Sequence, residues 1–162
     1  MARRLRPVGL DFAEEAPVRL VFTAGTAAPP QDVYRALAQE VEDWPRWFGA
    51  VTLARPAHGG AGREIRLRGG VRFQETVMTA DPEQRYAYRV DETNAPGVRA
   101  LLEEWRLVPD GTGTRVRWTF AADGPAPFRL ALRAARPGLG QAFRTAVRTL
   151  DRRLTAGGGS GR

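Results

Sequence analysis

The chain lacks several side chains on which common catalytic sites depend. It has no cysteine, which excludes disulfides, thiolate catalysis and cysteine-ligated zinc. All 25 basic residues are arginine, so Schiff-base chemistry at a lysine is excluded as well. Serine and histidine occur once each, as Ser160 in a glycine-rich tail and His58 in a glycine-rich turn. This excludes a Ser-His-Asp hydrolase, and we expect neither a metal site nor a cofactor.

Long apolar runs are also missing. No stretch approaches the roughly 18–20 apolar residues that span a bilayer. The basic start of the chain is not followed by an apolar segment, so we expect no secretory signal and a cytoplasmic location. With 162 residues, of which 43% are hydrophobic, the chain has the size and composition of one domain with a buried core.

The excess of positive over negative charge is concentrated in one part of the chain. The formal net charge is +7, and residues 126–156 contain seven arginines against the single acid Asp151. The pattern predicts helix in this region and groups the arginines on helical faces. They either form the solvent-exposed face of a helix whose other face packs in the core, or they form a docking face. A docking face would bind an anionic membrane or an acidic protein. We expect no nucleic acid, because no aromatic residue interleaves them. Six of the seven form the two helical faces: Arg129, Arg133, Arg136, Arg144, Arg148 and Arg152.

Hydrophobic periodicity predicts an α+β layout. A first strand at 18–23 is followed by two short helical segments, the second of which contains Pro45. Strand-like alternation then dominates, and the chain ends in an amphipathic helix over 139–154, which Pro137-Gly138 should separate from a helical piece at about 127–136. The six further predicted strands are 51–57, 64–68, 71–77, 85–90, 101–108 and 115–120.

Six short motifs occur in a characteristic order along this layout. They are Ala28–Leu37, Val41–Trp47, Gly60–Gly62, Asp81–Tyr88, Trp105–Thr114 and Val116–Trp118. Together they make the chain, over roughly 18–154, resemble the START-like (SRPBCC) superfamily, in its polyketide cyclase/dehydrase and lipid transport branch. The resemblance implies a helix-grip fold: a curved antiparallel β-sheet of about seven strands wrapped around a long C-terminal α-helix. Two short helices should follow the first strand, and an apolar cavity should lie between sheet and helix.

The expected domain organisation follows from this resemblance and from composition. We expect a flexible N-terminal arm over 1–16, a single START-like domain over 17–156 and a disordered glycine/serine tail over 157–162. The superfamily implies no single activity, since it includes aromatic polyketide cyclases, plant hormone and lipid binders, and small actinobacterial proteins described as toxins or stress factors.

The side chains that point inward from the predicted strands are the candidate ligand-binding residues. The aromatic ones among them either line a cavity or pack in a filled core. Trp47 and Phe48 should lie near an entrance, and Phe143 should come from the helix. The full set of candidates is Trp47, Phe48, Phe73, Glu75, Tyr86, Tyr88, Glu103, Trp105, Trp118, Phe120 and Phe143.

Two acidic residues occur among these inward-pointing apolar side chains, and they are the catalytic candidates. Glu75 is in phase with Phe73, and Glu103 is in phase with Trp105. A carboxylate on the inner face is costly unless it is paired or protonated, so each could pair with an arginine, orient a ligand hydroxyl or act as a general base. Alternatively, a β-bulge could turn either of them outward onto the arginine-rich face of the sheet.

Three functional hypotheses are consistent with these residues. The leading one is a non-enzymatic binder of a small hydrophobic ligand such as a lipid or polyketide. The second is a cyclase/dehydratase-type lyase that uses the same cavity with an acid–base carboxylate. The third is an interaction or stress/toxin-like module that acts through the arginine-rich C-terminal helix.

Overall fold

An antiparallel sheet curves around one long helix. The computed structural model describes residues 1–157, which contain eight strands and four α-helices. The strands are β1 (Arg3–Arg4), β2 (Val18–Thr26), β3 (Val51–Ala57), β4 (Gly62–Leu67), β5 (Arg72–Asp81), β6 (Arg85–Thr93), β7 (Ala100–Asp110) and β8 (Gly113–Asp123). The α-helices are α1 (Phe12–Glu15), α2 (Pro30–Tyr34), α3 (Ala126–Ala134) and α4 (Arg136–Gly157). This confirms the predicted helix-grip α+β fold.

The seven longer strands form a simple meander. Their order is β2-β8-β7-β6-β5-β4-β3, so every neighbouring pair except β2–β8 is consecutive along the chain. The predicted hairpin between β7 and β8 is present, and its turn contains Gly111 at φ +61°. At the start of β8 the backbone passes so close to β2 that a Cβ on Gly113 would lie 2.0 Å from the carbonyl oxygen of Thr26.

The segment between β2 and β3 is helical but irregular. Helix α2 continues into a π-helical turn at Arg35–Gln39, and a 3₁₀-helix follows at Val41–Arg46. Pro45 lies inside the 3₁₀-helix, where its missing N–H would break an α-helix. The indole Nε1 of Trp44 donates to the carbonyl oxygen of Leu37 at 3.0 Å, which ties the two turns together. The two short helices predicted after the first strand are therefore one helix with a π-turn and one 3₁₀-helix.

The N-terminal segment corrects the expectation of a flexible arm over 1–16. Strand β1 pairs with the end of β6, and the next backbone N–H groups, of Leu5 and Arg6, donate to Asp91 and Arg99 at 2.8 and 2.9 Å. Helix α1 then lies on the outer face of the sheet, where Phe12 is buried in a small second apolar cluster. The sheet supplies small and apolar side chains there, namely Ala100, Leu102 and Ala121, which leave room for α1. Sequence patterning misses this because 1–16 is too short for a clear period.

The C-terminal half shows the predicted helix break. Helix α3 ends at Ala134, and α4 begins at Arg136, immediately before Pro137. Helix α4 buries one face against the concave side of the sheet, including Phe143 and Val147. Gly157, where we expected the disordered tail to start, is the last residue of α4, and the rest of that predicted tail lies outside the described residues. None of the helices in residues 1–157 is long and apolar enough to cross a membrane.

Replacing Phe12 with alanine tests whether the N-terminal segment is an integral part of the fold. We expect Phe12→Ala to lower the free energy of unfolding by about 3 kcal/mol, because it removes a buried aromatic ring from the outer-face cluster. Urea denaturation followed by circular dichroism measures this. Glu15→Ala, an exposed position of the same short helix, is the matched control and should change stability by less than about 0.5 kcal/mol. Equal stability of both variants would mean that the arm does not contribute.

Candidate ligand-binding cavity

A cavity of about 290 Å³ lies between the concave face of the sheet and the α3–α4 region. Most of its lining is apolar, with Ile65 and Leu67 from β4 on one side and Leu132 and Leu139 from the helices on the other. Seven of the sequence-predicted residues line it: Phe48, Phe73, Glu75, Tyr88, Glu103, Trp118 and Phe120. Both acids of the inner phase therefore face the cavity.

The sheet register explains why both acids point inward. A bulge is present between β5 and β6, since Gln74 pairs with Glu92 but Glu75 pairs with Val90. The extra residue, Asp91, is on β6, so the alternation of β5 continues and Glu75 keeps the inward phase of Phe73.

Glu75 forms a buried ion pair with Arg63, its direct cross-strand neighbour on β4. The Arg63 Nε donates to Glu75 Oε2 at 2.7 Å, and Nη2 lies 2.7 Å from the same oxygen without the alignment of a hydrogen bond. The side chains are 2% and 1% exposed, so water does not screen their attraction.

Aromatic rings complete the surroundings of the Arg63 guanidinium. Its central carbon lies 3.9 Å from the ring centre of Tyr88, 4.4 Å from that of Trp44 and 5.5 Å from that of Tyr86. A planar, delocalised guanidinium stacks well on such faces, and cation–π attraction is strongest where water is absent. The rings thereby hold the arginine in place from the sides that Glu75 does not cover.

The ion pair nevertheless leaves polar atoms without partners. Arg63 Nη1 and Nη2 and Glu75 Oε1 are buried and make no hydrogen bond with any described residue. Buried donors and acceptors without a partner are rare in folded proteins, because each carries a desolvation penalty of roughly 1–3 kcal/mol. The three atoms belong to two charged residues that line the cavity, which makes this its polar end.

Glu103 forms the second polar centre of the cavity. The indole Nε1 of Trp118 donates to its Oε1 at 3.1 Å, across the β7–β8 pair. Its neighbour on β6 is Tyr88, whose hydroxyl oxygen in turn accepts a hydrogen bond from Trp105 Nε1 at 3.1 Å. Indole groups on two strands thus anchor this network to the sheet.

Burial gives the two carboxyl groups different proton affinities. It raises the pKa of Glu103 to about 8, with the charge of Glu75 adding to the rise and Arg63 and the hydrogen bonds opposing it. Burial also raises the pKa of Glu75, but Arg63 opposes this by charge and hydrogen bond, so that the value is about 6. At neutral pH Glu75 is therefore mostly ionised, whereas Glu103 is mostly protonated.

Four predicted ligand-binding residues do not line this cavity. Trp47 is buried in a separate groove beside the end of α4, and Tyr86 lines a smaller pocket on the other side of Arg63. Trp105 and Phe143 are core residues behind the cavity wall, packed on Trp118 with ring centres 5.6 and 5.7 Å away. The strand and helix patterns correctly pointed Trp105 and Phe143 inward, but close packing fills the space around these two rings.

Arg63 is the main functional candidate that sequence reasoning missed. It is two residues before Ile65, so it belongs to the inward phase of β4, but the predicted strand began only at Glu64. If the alternating pattern of the predicted strand had been extended by one residue toward the N-terminus, Arg63 would have been placed on the inner face. The cavity-lining Trp44 was missed because it lies in the irregular segment before β3, where no period applies.

The outer face of the sheet carries a set of ion pairs. Arg55 and Arg66 flank Glu64, and Arg85 and Arg106 flank the buried Glu104. Two of these four pairs join neighbouring strands, and the other two lie along a single strand.

The predicted arginine face of the C-terminal helices is partly engaged within the chain. Arg133 and Arg136 donate to the carbonyl oxygens of Pro17 and Val21, each at 3.2 Å. Arg144, Arg148 and Arg152 are exposed, and none has a carboxylate within 4.0 Å among residues 1–157. An anionic membrane or an acidic protein as partner of this face stays a prediction.

The raised pKa of Glu103 predicts how stability depends on pH. Between the ordinary pKa of 4.5 and about 8, the folded chain holds a proton that the unfolded chain has released. The free energy of unfolding should therefore fall as pH rises, with Glu103 contributing up to about 1.4 kcal/mol per pH unit. Glu75 contributes in the same direction over the lower part of this range, up to about 6.

Glu103→Gln should flatten this slope between pH 6 and about 8, since glutamine keeps the acceptor for Trp118 but does not titrate. Chemical denaturation at several pH values measures the slope. Glu42→Gln, at an exposed position, is the matched control and should leave the slope unchanged. If Glu103→Gln kept the wild-type dependence of the unfolding free energy on pH, the raised pKa would not belong to Glu103.

Comparison with known proteins places the chain in a family. Residues 18–155 match the family described as polyketide cyclase / dehydrase and lipid transport. The uncharacterized proteins Mb2604 of Mycobacterium bovis and Rv2574 of Mycobacterium tuberculosis are each 35% identical to it over 150 residues, which cover 90% of this chain and 89% of each relative.

Similar solved structures agree on the fold. A START superfamily protein of Mycobacterium smegmatis has a TM-score of 0.67 at 12% identity, over 85% of this chain and 97% of that one. The protein XoxI of Bacillus cereus has a TM-score of 0.69 at 13% identity, over 85% of this chain and 96% of that one. The chain therefore belongs to the polyketide cyclase/dehydrase and lipid transport family and has the START fold.

Proposed function

We propose that this protein binds one small apolar ligand in the cavity between its sheet and its C-terminal helices. The observation that carries the proposal is the pairing of a mostly apolar cavity of about 290 Å³ with unpartnered polar atoms at one end. Sites for small molecules typically combine an apolar lining with a few convergent polar groups. Burial of the ligand's apolar surface provides the affinity, and the polar groups set its orientation.

Helix α3 is the element through which a ligand reaches the cavity. None of its residues is buried, and Leu130 is 69% exposed. Leu132 of α3, Ala135 between the helices and Leu139 of α4 border the cavity, so movement of α3 opens it directly. A segment with so little buried surface opens at low cost compared with unfolding of the sheet.

A probe that needs no polar contact tests this function. N-phenyl-1-naphthylamine, an uncharged apolar dye, should bind saturably at one site per chain, with a rise in dye fluorescence. Ala142→Phe places a ring in the cavity and should weaken dye binding about tenfold or more, because the added volume competes with the dye. Ala156→Phe, at an exposed position of the same helix, should bind as the wild type does.

Two outcomes of that titration contradict the proposal. One is the absence of saturable binding by the folded wild-type protein. The other is equal affinity in the Ala142 and Ala156 variants, which would place the dye elsewhere on the surface. Thermal unfolding of both variants shows whether any loss reflects misfolding.

A second candidate function is a cyclase/dehydratase-type lyase, and the opposite protonation of the two acids favours it. Ionised Glu75 can remove a proton from the carbon beside a ligand carbonyl. Protonated Glu103 can give its proton to a hydroxyl on the next carbon, which leaves as water as the double bond forms. The two groups thus supply the base and the acid that such an elimination needs.

Glu103→Gln separates the lyase from the binder. In a lyase, the variant should lose about 100-fold or more in turnover of a β-hydroxy carbonyl substrate while its dye affinity changes little. Formation of the conjugated carbonyl can be followed by its ultraviolet absorbance. If the wild-type protein binds such a compound without converting it, the lyase candidate is excluded for that compound.

A further inference from the structure

We propose that the ligand carries a carboxyl group, which binds at the unpartnered edge of the Arg63–Glu75 pair. The ligand is then an apolar carboxylic acid with its headgroup between β4 and β5 and its body along the cavity. The inference rests on the proposed function, since it names the chemical class of molecule that the same cavity takes.

The number and kind of unpartnered atoms lead to this headgroup. Two are donors, Arg63 Nη1 and Nη2, and one is an acceptor, Glu75 Oε1. Both side chains are at least 98% buried and line the cavity. A complementary ligand group must therefore accept two hydrogen bonds and donate one within a few ångströms.

A carboxyl group matches this demand better than other oxygen groups. Its two oxygens can accept from the arginine fork, and a proton on one of them, or on Glu75, completes the contact between the two acids. A methyl ester has acceptors but no donor. An alcohol has a single oxygen, which cannot span both arginine nitrogens and the carboxylate.

The guanidinium is already fixed in the orientation that such binding requires. Its Nε is tied to Glu75, and Tyr88 and Trp44 cover its faces. Little side-chain entropy remains to be lost when a ligand binds its free edge. Lysine could not replace it, because an ammonium lacks the planar fork that grips two oxygens.

Charge balance adds a second, independent expectation. A fully ionised ligand would face the negative charge of Glu75, and no further cation lines the cavity among the described residues. Other titratable groups near Glu75 are Asp91 and Tyr86 on β6, Tyr88 beside it, and Glu103 on β7. His58 shares a separate pocket with Glu75 but does not line the ligand cavity. None of the groups that line the cavity beside Arg63 can supply positive charge, so the two carboxyl groups share one proton, which is taken up from solvent.

Three probes that differ only in their headgroup test the inference: decanoic acid, methyl decanoate and decan-1-ol. Each is titrated against the protein loaded with N-phenyl-1-naphthylamine, and dye displacement reports the affinity. We expect the acid to bind about tenfold or more tightly than the ester and the alcohol, as for hydrogen bonds to a charged group. Calorimetry at pH 7 in two buffers of different ionisation heat should show uptake of about one proton per bound acid.

Two variants test whether the preference for the acid and the proton uptake both arise at the Arg63–Glu75 pair. Glu75→Gln removes the negative charge, so proton uptake should fall to near zero while the preference for the acid remains. Arg63→Met combined with Glu75→Leu replaces the pair by apolar groups of similar size, a change that buried ion pairs often tolerate. This double variant should still bind the dye but bind the acid no better than the alcohol.

The outcomes separate this inference from the proposed function. Equal affinity for the three probes, tighter binding of the alcohol or the ester, or dye binding without displacement by the acid overturns the carboxylate assignment and leaves the binding function intact. Unchanged proton uptake in Glu75→Gln overturns it as well. Failure of the wild-type protein to bind the dye or any probe overturns the proposed function itself.

Discussion

A guanidinium buried in an apolar core has to be compensated by its surroundings, and much of this fold is arranged around that of Arg63. Its charge is met by Glu75 on the neighbouring strand and by the faces of Trp44 and Tyr88. These partners come from β5, β6 and the 3₁₀-helix before β3, so one side chain on β4 ties three other elements together. Loss of either charge would leave the other buried and unpaired, which is among the costliest defects in a core.

A cluster of aromatic rings lies at the centre of the inner face, with aliphatic side chains around it. Trp44, Trp47 and Phe48 pack against Trp105, and Trp118 stacks between Trp105 and Phe143. Large rigid rings bury much area, but their flat shapes interlock less completely at the edges of a cluster. The cavity lies at such an edge, where the aromatic cluster ends and α3 contributes only partly buried side chains.

Stability and function place opposite demands on this end of the molecule. An apolar core would have been served better by a leucine and a methionine than by a buried arginine and glutamate. The two acids and the arginine instead form a cavity end with preset donors, acceptors and protonation states. The outer face shows the contrasting arrangement, in which Glu64 and Glu104 each lie between two arginines and the charges are paired within the sheet.

The sequence by itself determined the parts of the structure that depend on local periodicity. Strand alternation placed Glu75 and Glu103 on the inner face, and Pro137 marked the break between the last two helices. These predictions hold because side-chain direction alternates with every residue of a strand, and because proline lacks the N–H that continues an α-helix and is tolerated only in its first turn.

Tertiary structure alone decided which inward side chains border a cavity and which fill the core. Tyr88 and Trp118 reach the cavity, whereas Trp105 and Phe143, which share their phase or face, are covered by neighbours. It also decided that the N-terminal segment packs on the sheet. Both results depend on how surfaces from residues distant in sequence fit together. The local sequence pattern of one surface does not reveal this fit, because close packing depends on the shapes of both surfaces.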